Sequence, residues 1–144
     1  ISKAYTDNNL TMVQEFKNLT ETSIVYIKNN ESIKEEIKYI DNTLSNGTIK
    51  SYKNDKLVEE IVFENSMPNL QKSYHDNGNL AFEIPMKNGA INGEVKIYYE
   101  NGKIKEIIPV KNGKKEGIGR EYNETGKIIK EVLYKDDEEV KKIK

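Results

Sequence analysis

The feature that most constrains this chain is a period of 24 residues that runs through its second half. Three glycines and three tyrosines recur at this interval. They are Gly78, Gly102 and Gly126, together with Tyr74, Tyr98 and Tyr122. A fixed period of about 20–50 residues is typical of repeat architectures, in which one unit cannot bury its apolar face alone and must pack on its neighbours. The sequence therefore predicts an array of short units.

Apolar residues occur at even intervals within each unit, which is the periodicity of a β-strand. An aliphatic residue is followed by apolar residues four and six positions later. This rule fits Leu80, Ile84 and Met86; Ile104, Ile108 and Val110; Ile128, Val132 and Tyr134; Leu57, Ile61 and Phe63; and Ile33, Ile37 and Tyr39. In the first unit, Gln14 interrupts the rule between Leu10 and Phe16. A tyrosine precedes each strand: Tyr5, Tyr26, Tyr52, Tyr74, Tyr98 or Tyr122.

Asparagine and glycine mark the turns between these strands. The two residues tolerate positive φ, which type I′ hairpin turns require. Such pairs are Asn77-Gly78, Asn88-Gly89, Asn101-Gly102 and Asn112-Gly113, and Asn18, Asp41, Asn65 and Asp136 occupy the position of Asn88 in the other units. Pro85 and Pro109 lie at equivalent strand positions, and we expect a bulge or an unpaired edge there because proline has no amide donor.

These patterns predict an all-β fold: an elongated antiparallel meander of about six β-hairpin repeats in a single-layer twisted sheet. We expect one repeat domain over residues 1–144, with clear repeats at 74–144 and degenerate repeats at 1–73. Residues 30–45 leave two interpretations open. Ser32 and Glu35 form a capping-box pattern for a helix, whereas the repeat register favours a strand.

Composition excludes several kinds of chemistry. Cysteine is absent, His75 is the only histidine and Arg120 is the only arginine. Acidic and basic residues nearly balance, at 24 and 23, and no long apolar run occurs. We therefore predict no catalytic, cofactor-binding or metal-binding residues, no nucleic-acid partner and no membrane insertion.

Three groups of titratable residues have structural interpretations that we favour over functional ones. His75 follows a unit tyrosine at the position of Tyr99 and Asn123, which is typical of a variable turn residue. Glu35, Glu59 and Glu106 share one repeat position and predict a solvated sheet face rather than a paired-carboxylate site. The acidic run of residues 136–139 lacks the glycine and ligand alternation of a calcium loop. Tyr99 is the one tyrosine outside the repeat rule, and we predict that it contacts a partner.

Residues 111–122 contain an Asn-Gly turn followed by a Gly-x-Gly return strand, and this stretch resembles a MORN repeat. Residues 98–106 are similar to the bacterial MORN-repeat variant, and the similarity extends over residues 74–135. The resemblance implies an all-β hairpin array without catalytic residues that binds other proteins. It also implies a specific role, the antitoxin component of a YwqK-type toxin–antitoxin module, with a cognate toxin as the protein partner.

The chain begins at Ile1 rather than methionine. This start raises a second hypothesis, in which a signal has been removed and the chain is an exported or surface-associated structural repeat protein at the cell envelope or in host contact. A cytoplasmic location is the other expectation. The sequence predicts neither the partner nor the oligomeric state.

Overall fold

A computed structural model describes the backbone of residues 2–7, 10–18, 21–28, 31–39 and 46–144, and the side chains of residues 35–38 and 46–144. The chain divides into two compact units, Ile1–Met67 and Pro68–Lys144. The described residues form strands, turns and short connections and contain no helix. The prediction of an all-β antiparallel meander is confirmed in each unit.

The first unit is a meander of antiparallel neighbours. Its strands are β1 (Ser2–Asp7), β2 (Leu10–Asn18), β3 (Glu21–Lys28), β4 (Glu31–Tyr39), β5 (Gly47–Lys53) and β6 (Lys56–Glu64). Strand β4 pairs with β3 on one side and β5 on the other, so the strand interpretation is confirmed for residues 31–39. Residues 40–45, which include the turn residue Asp41, lie outside the described residues.

The second unit is also a meander, in which each strand lies beside its neighbour in sequence. Its strands are β7 (Met67–Tyr74), β8 (Leu80–Lys87), β9 (Ala90–Ile91), β10 (Gly93–Tyr98), β11 (Ile104–Lys111), β12 (Lys114–Lys115), β13 (Gly117–Tyr122), β14 (Ile128–Lys135) and β15 (Glu138–Lys142). The short strands β9 and β12 each begin a return strand that β10 and β13 complete, pairing with β8 and β11 respectively.

Two kinds of turn alternate along the second unit. Two-residue turns join β8 to β9 and β11 to β12, and both central residues have positive φ: 52° and 77° at Asn88-Gly89, 51° and 82° at Asn112-Gly113. Left-handed conformations at both positions define the type I′ hairpin, so these two predicted turns are confirmed. Asp136-Asp137 has the same geometry, with φ of 50° and 73°.

The other Asn-Gly pairs form a different loop, and the prediction of type I′ turns is wrong for them. The amide of Gly78 donates to the carbonyl of His75, and that of His75 donates to the carbonyl of Asn79, both at 2.8 Å. Only Gly78 has positive φ, and the loop around Gly102 repeats this arrangement. The cause is a bulge, because Tyr74 faces Leu80 while Ser73 faces Phe82. The offset strand ends need three loop residues, of which only the last must be left-handed.

Pro85 lies opposite a second irregularity, as the missing amide donor predicts. Met86 faces Ile91 and Glu83 faces Lys96, so the return strand carries two extra residues at this point. Gly93 lies in the bulge with φ of 128°, and a Cβ added there would lie 2.8 Å from Cγ of Pro85. Pro109 repeats the arrangement, with Val110 facing Lys115 and Ile107 facing Arg120.

Few apolar side chains are fully enclosed. Among the described side chains, the buried hydrophobic ones are Ala81, with 6% of its surface exposed, and Val132, with 2%. The other apolar residues of the strands keep part of their surface in water. These strands therefore offer side chains that are ordered by the backbone pairing yet remain available for contact.

Candidate interaction surface

Two rows of facing residues run across the second unit on opposite faces, because neighbouring residues in a strand point to opposite sides. One row consists of Lys72, Glu83, Lys96, Ile107, Arg120 and Glu131. The adjacent row consists of Ser73, Phe82, Ile97, Glu106, Glu121 and Lys130. We call the first the tyrosine face, since the unit tyrosine Tyr98 bonds to it, and the second the Phe82 face.

Charges on the tyrosine face are largely paired. The Tyr98 hydroxyl donates a 3.0 Å hydrogen bond to Oε2 of Glu83, and burial together with this carboxylate raises the pKa of Tyr98 to about 12. In the first unit, Tyr52 donates to Glu36 at 2.9 Å, and the same causes raise the pKa of Tyr52 to about 12. Arg120 Nε lies 2.8 Å from Oε1 of Glu131. The diagonal tyrosine–glutamate pair thus recurs, although sequence spacing gives no signal for it.

The Phe82 face is apolar over much of its area. Phe82 is 42% exposed and faces Ile97. In the next row on this face, Val95 faces Ile108 and Gly119 faces Val132. A Cβ on Gly119 would lie 2.8 Å from Cε2 of Tyr134, so the missing side chain makes room for this ring to cover the strand.

Two carboxylates lie side by side on the Phe82 face. Glu106 faces Glu121 across β11 and β13, and both side chains are half-buried. Among the described residues, no hydrogen bond or salt bridge holds either carboxylate. Like charges in facing positions destabilise a sheet, and Lys130, which faces Glu121 on β14, offsets part of this repulsion.

Tyr99 lies at the end of the strands where the three-residue loops are found. Its hydroxyl donates a 2.8 Å hydrogen bond to the carbonyl of Tyr122, and Nζ of Lys105 lies 5.8 Å from its ring centroid. His75 occupies the same place one repeat earlier, with Nε2 3.0 Å from the carbonyl of Tyr98. The structure therefore gives Tyr99 a role in joining repeats, while its contact with a partner stays a prediction.

A second repeated contact lies at the opposite end of the strands, beside the two-residue turns. The residue directly before Gly47, Gly93 or Gly117 accepts a hydrogen bond from the backbone amide of the first residue of a later turn. Oδ1 of Asn92 accepts from Asn112 at 3.0 Å, and Oε2 of Glu116 accepts from Asp136 at 3.1 Å. Asn46 and Asn65 make the same contact in the first unit, at 3.2 Å. Sequence analysis missed these acceptors, although their place before Gly47, Gly93 and Gly117 was a usable signal.

The other titratable candidates do not form a reactive group. Glu35 and Glu59 both face Ser51 in the first unit, while Glu106 belongs to the second. Asp136 bonds to Lys114 at 3.1 Å, and Oδ1 of Asp137 accepts from the Lys115 amide at 2.7 Å. Within the described part of the chain, no three histidine, aspartate or glutamate side chains lie together as metal ligands would.

Comparison with protein families identifies the hairpins of the second unit. Residues 68–88, 91–112 and 115–136 each match the model of the MORN repeat variant. These three segments are similar to repeats of that family, and we call them the MORN-variant repeats. Each match begins on a return strand and ends at a two-residue turn, so one repeat is the hairpin centred on a three-residue loop. Repeats of this family are generally structural and non-catalytic.

The MORN-variant repeats cover just under half of the chain. No curated protein sequence is significantly similar to it. In the residues that the structure describes, no helix has both the length and the apolar character needed to cross a lipid bilayer.

Proposed function

We propose that the chain is a non-catalytic scaffold that binds another protein through the Phe82 face of its MORN-variant repeats. The observation that carries the proposal is that carboxylates are hydrogen-bonded differently on the two faces. Two carboxylates on the tyrosine face, those of Glu83 and Glu131, are bonded to tyrosine and arginine respectively. On the Phe82 face, Glu106 and Glu121 make no hydrogen bond or salt bridge among the described residues, although Lys130 faces Glu121.

The chemistry of this face indicates the kind of partner. A protein with an apolar patch would cover Phe82 and Ile97, and lysine or arginine side chains beside that patch would neutralise Glu106 and Glu121. Such pairing would also remove the repulsion between the two carboxylates. The affinity is then expected to fall as salt is added, because attraction between partly exposed charges is screened.

Binding assays with face-specific variants test the proposal. We expect Phe82→Ser and the double variant Glu106→Lys with Glu121→Lys each to weaken binding of a partner captured by the wild-type chain and then purified. Ile118→Ser is the matched control, since Ile118 is 38% exposed and shares the tyrosine face with Arg120. Equal loss of binding in the control would contradict the assignment of the face.

The finer proposal is that the partner is a toxin and that the chain is its antitoxin. It is supported by the acidic and apolar surface, which suits a basic toxin, together with the sequence resemblance described above. Expression of the purified partner's gene alone should stop growth, and co-expression of the chain should restore it. The Glu106→Lys, Glu121→Lys variant should fail to restore growth. A harmless partner would reject the antitoxin role and leave the scaffold role standing.

A structural role at the cell surface is the alternative proposal. It would be favoured if the full gene encoded a cleavable signal and no protein bound the Phe82 face.

A further inference from the structure

Asparagine followed by glycine is a chemically reactive pair, because no side chain on the glycine obstructs its backbone nitrogen. After losing its proton, this nitrogen attacks Cγ of the asparagine. A bond between the two atoms closes a succinimide ring, and the bond from Cγ to the side-chain nitrogen breaks, which releases ammonia. Water then opens the ring at either carbonyl carbon and leaves aspartate or isoaspartate. Such pairs begin in this chain at Asn46, Asn77, Asn88, Asn92, Asn101 and Asn112.

The fold restrains most of these pairs in the second unit. Attack requires the glycine amide to be free and the asparagine side chain to turn toward it, so a hydrogen bond on either group slows the reaction. The amides of Gly78 and Gly102 donate to loop carbonyls at 2.8 and 2.9 Å, and the amide of Gly113 donates to a carbonyl of the preceding hairpin at 2.8 Å. The side chain of Asn92 is held by the Asn112 amide at 3.0 Å.

The exposed turn at Asn88-Gly89 lacks these restraints. Within the described part of the chain, neither backbone amide of this turn donates a hydrogen bond, and the side chain of Asn88 makes none. The sequence gives a reason for the first amide. Its acceptor in the next repeat, Asn92, lies 20 residues before Asn112, whereas Pro68 occupies that position before Asn88 and its ring carries no acceptor atom.

We propose that Asn88 is a site of non-enzymatic deamidation, to which the fold directs the reaction. The aspartate product fits the turn, since Asp136 has φ of 50° at the equivalent position and Asn88 has φ of 52°. The reaction therefore adds a carboxylate to the end of this hairpin while the turn is kept. The isoaspartate product lengthens the backbone by one atom and disturbs the turn. Neither product depends on the proposed binding function.

Asn112 is a matched internal reference for the experiment. Both asparagines follow a lysine and precede a glycine, and both begin turns of the same geometry. The full chain is incubated in mildly alkaline buffer and digested at acidic pH, and mass spectrometry of the peptides measures replacement of each amide by a carboxylate. We expect Asn88 to deamidate about tenfold faster than Asn112, because two hydrogen bonds must open at the second turn.

The same measurement in concentrated urea separates the effect of the fold from that of the local sequence. The two rates should become equal there, because the hydrogen bonds are lost. A preference for Asn88 that persisted in urea would overturn the proposal, and so would equal rates in the folded chain.

Two variants test the cause of the preference. Pro68→Asn supplies an acceptor for the Asn88 amide and should slow deamidation of Asn88 by about threefold. Asn92→Ala removes the acceptor of the Asn112 amide and should speed deamidation of Asn112 by about threefold while leaving Asn88 unchanged. The second variant decides the matter if the first fails to fold. Unchanged rates in the folded variants would overturn the proposal.

Discussion

The unit tyrosines show how a single residue sets both strand geometry and surface chemistry. Each of Tyr52, Tyr98 and Tyr122 follows a register shift, which turns it toward the first aliphatic residue of the next strand. In two of the three, the hydroxyl then reaches a glutamate on a neighbouring strand. The ring therefore anchors the hairpin, and in these two tyrosines the hydroxyl donates a hydrogen bond to a neighbouring carboxylate.

Titration of Tyr98 is the first residue-scale prediction. Its pKa is raised from 10.0 to about 12 by burial and by the bond to Glu83, so the folded chain holds the proton more tightly than the unfolded chain. The stability that this provides is complete below pH 10 and is lost as the pH rises to about 12. Absorbance titration of tyrosinate should show a lower Tyr98 pKa in Glu83→Gln. An unchanged titration curve would exclude the hydrogen bond.

Removal of the Tyr99 hydroxyl is the second prediction at this scale. Tyr99→Phe breaks the bond to the Tyr122 carbonyl and should lower the free energy of unfolding by about 1 kcal/mol in urea denaturation. Tyr99→His should recover part of the loss, because His75 makes the equivalent contact one repeat earlier. If Tyr99→Phe also weakened partner binding at constant stability, the predicted partner contact would gain direct support.

At the scale of strands and turns, side chains at both ends of the strands join neighbouring repeats. Loop residues bond forward to the next loop: Nδ2 of Asn77 and of Asn79 each donate to the Glu100 carbonyl at 2.7 Å, and Nζ of Lys103 donates to the Glu124 carbonyl at 2.9 Å. At the other end of the strands, acceptors such as Oδ1 of Asn92 bind the backbone amide of a later turn. Adjacent hairpins are therefore fixed by more than their backbone ladders.

Substitution of Asn92 tests the contribution of these edge contacts. Asn92→Ala removes the acceptor for the Asn112 amide and should cost about 0.5–1 kcal/mol, since the amide lies in an exposed turn and can bind water. Asn92→Asp keeps an oxygen in place, as Glu116 does in the next repeat, and should be nearly neutral. Thermal or urea denaturation measures both. Equal destabilisation by the two substitutions would show that the acceptor is not what matters.

The periodic residues made these elements predictable from sequence, whereas the contacts between them were not. Even spacing of apolar residues gave strand β4 against the helical pattern at Ser32. Identical Asn-Gly pairs at 77–78 and 88–89 form different turns, because a bulge elsewhere in the hairpin decides how many residues the loop needs. That Glu106 faces Glu121 could be found only from the strand register between β11 and β13, which the sequence of no single segment encodes.

At the scale of the whole molecule, protection of the backbone should follow position in the meander. In the second unit, β11 has strands on both sides, whereas β15 has entirely exposed side chains and one neighbouring strand among the residues that the structure describes. We expect amides of β11 to exchange with solvent far more slowly than those of β15 when hydrogen exchange is measured at low protein concentration. Equal protection of the two strands would contradict an open edge at β15.

The repeated link from Asn92 to Asn112, and from Glu116 to Asp136, has an evolutionary consequence. Both of these junctions use the same donor and acceptor positions, so a gene segment that encodes one such hairpin could be duplicated or deleted without creating a mismatched junction. The number of hairpins, and with it the span available to a binding partner, is thus free to change by unequal recombination while each joint keeps its chemistry.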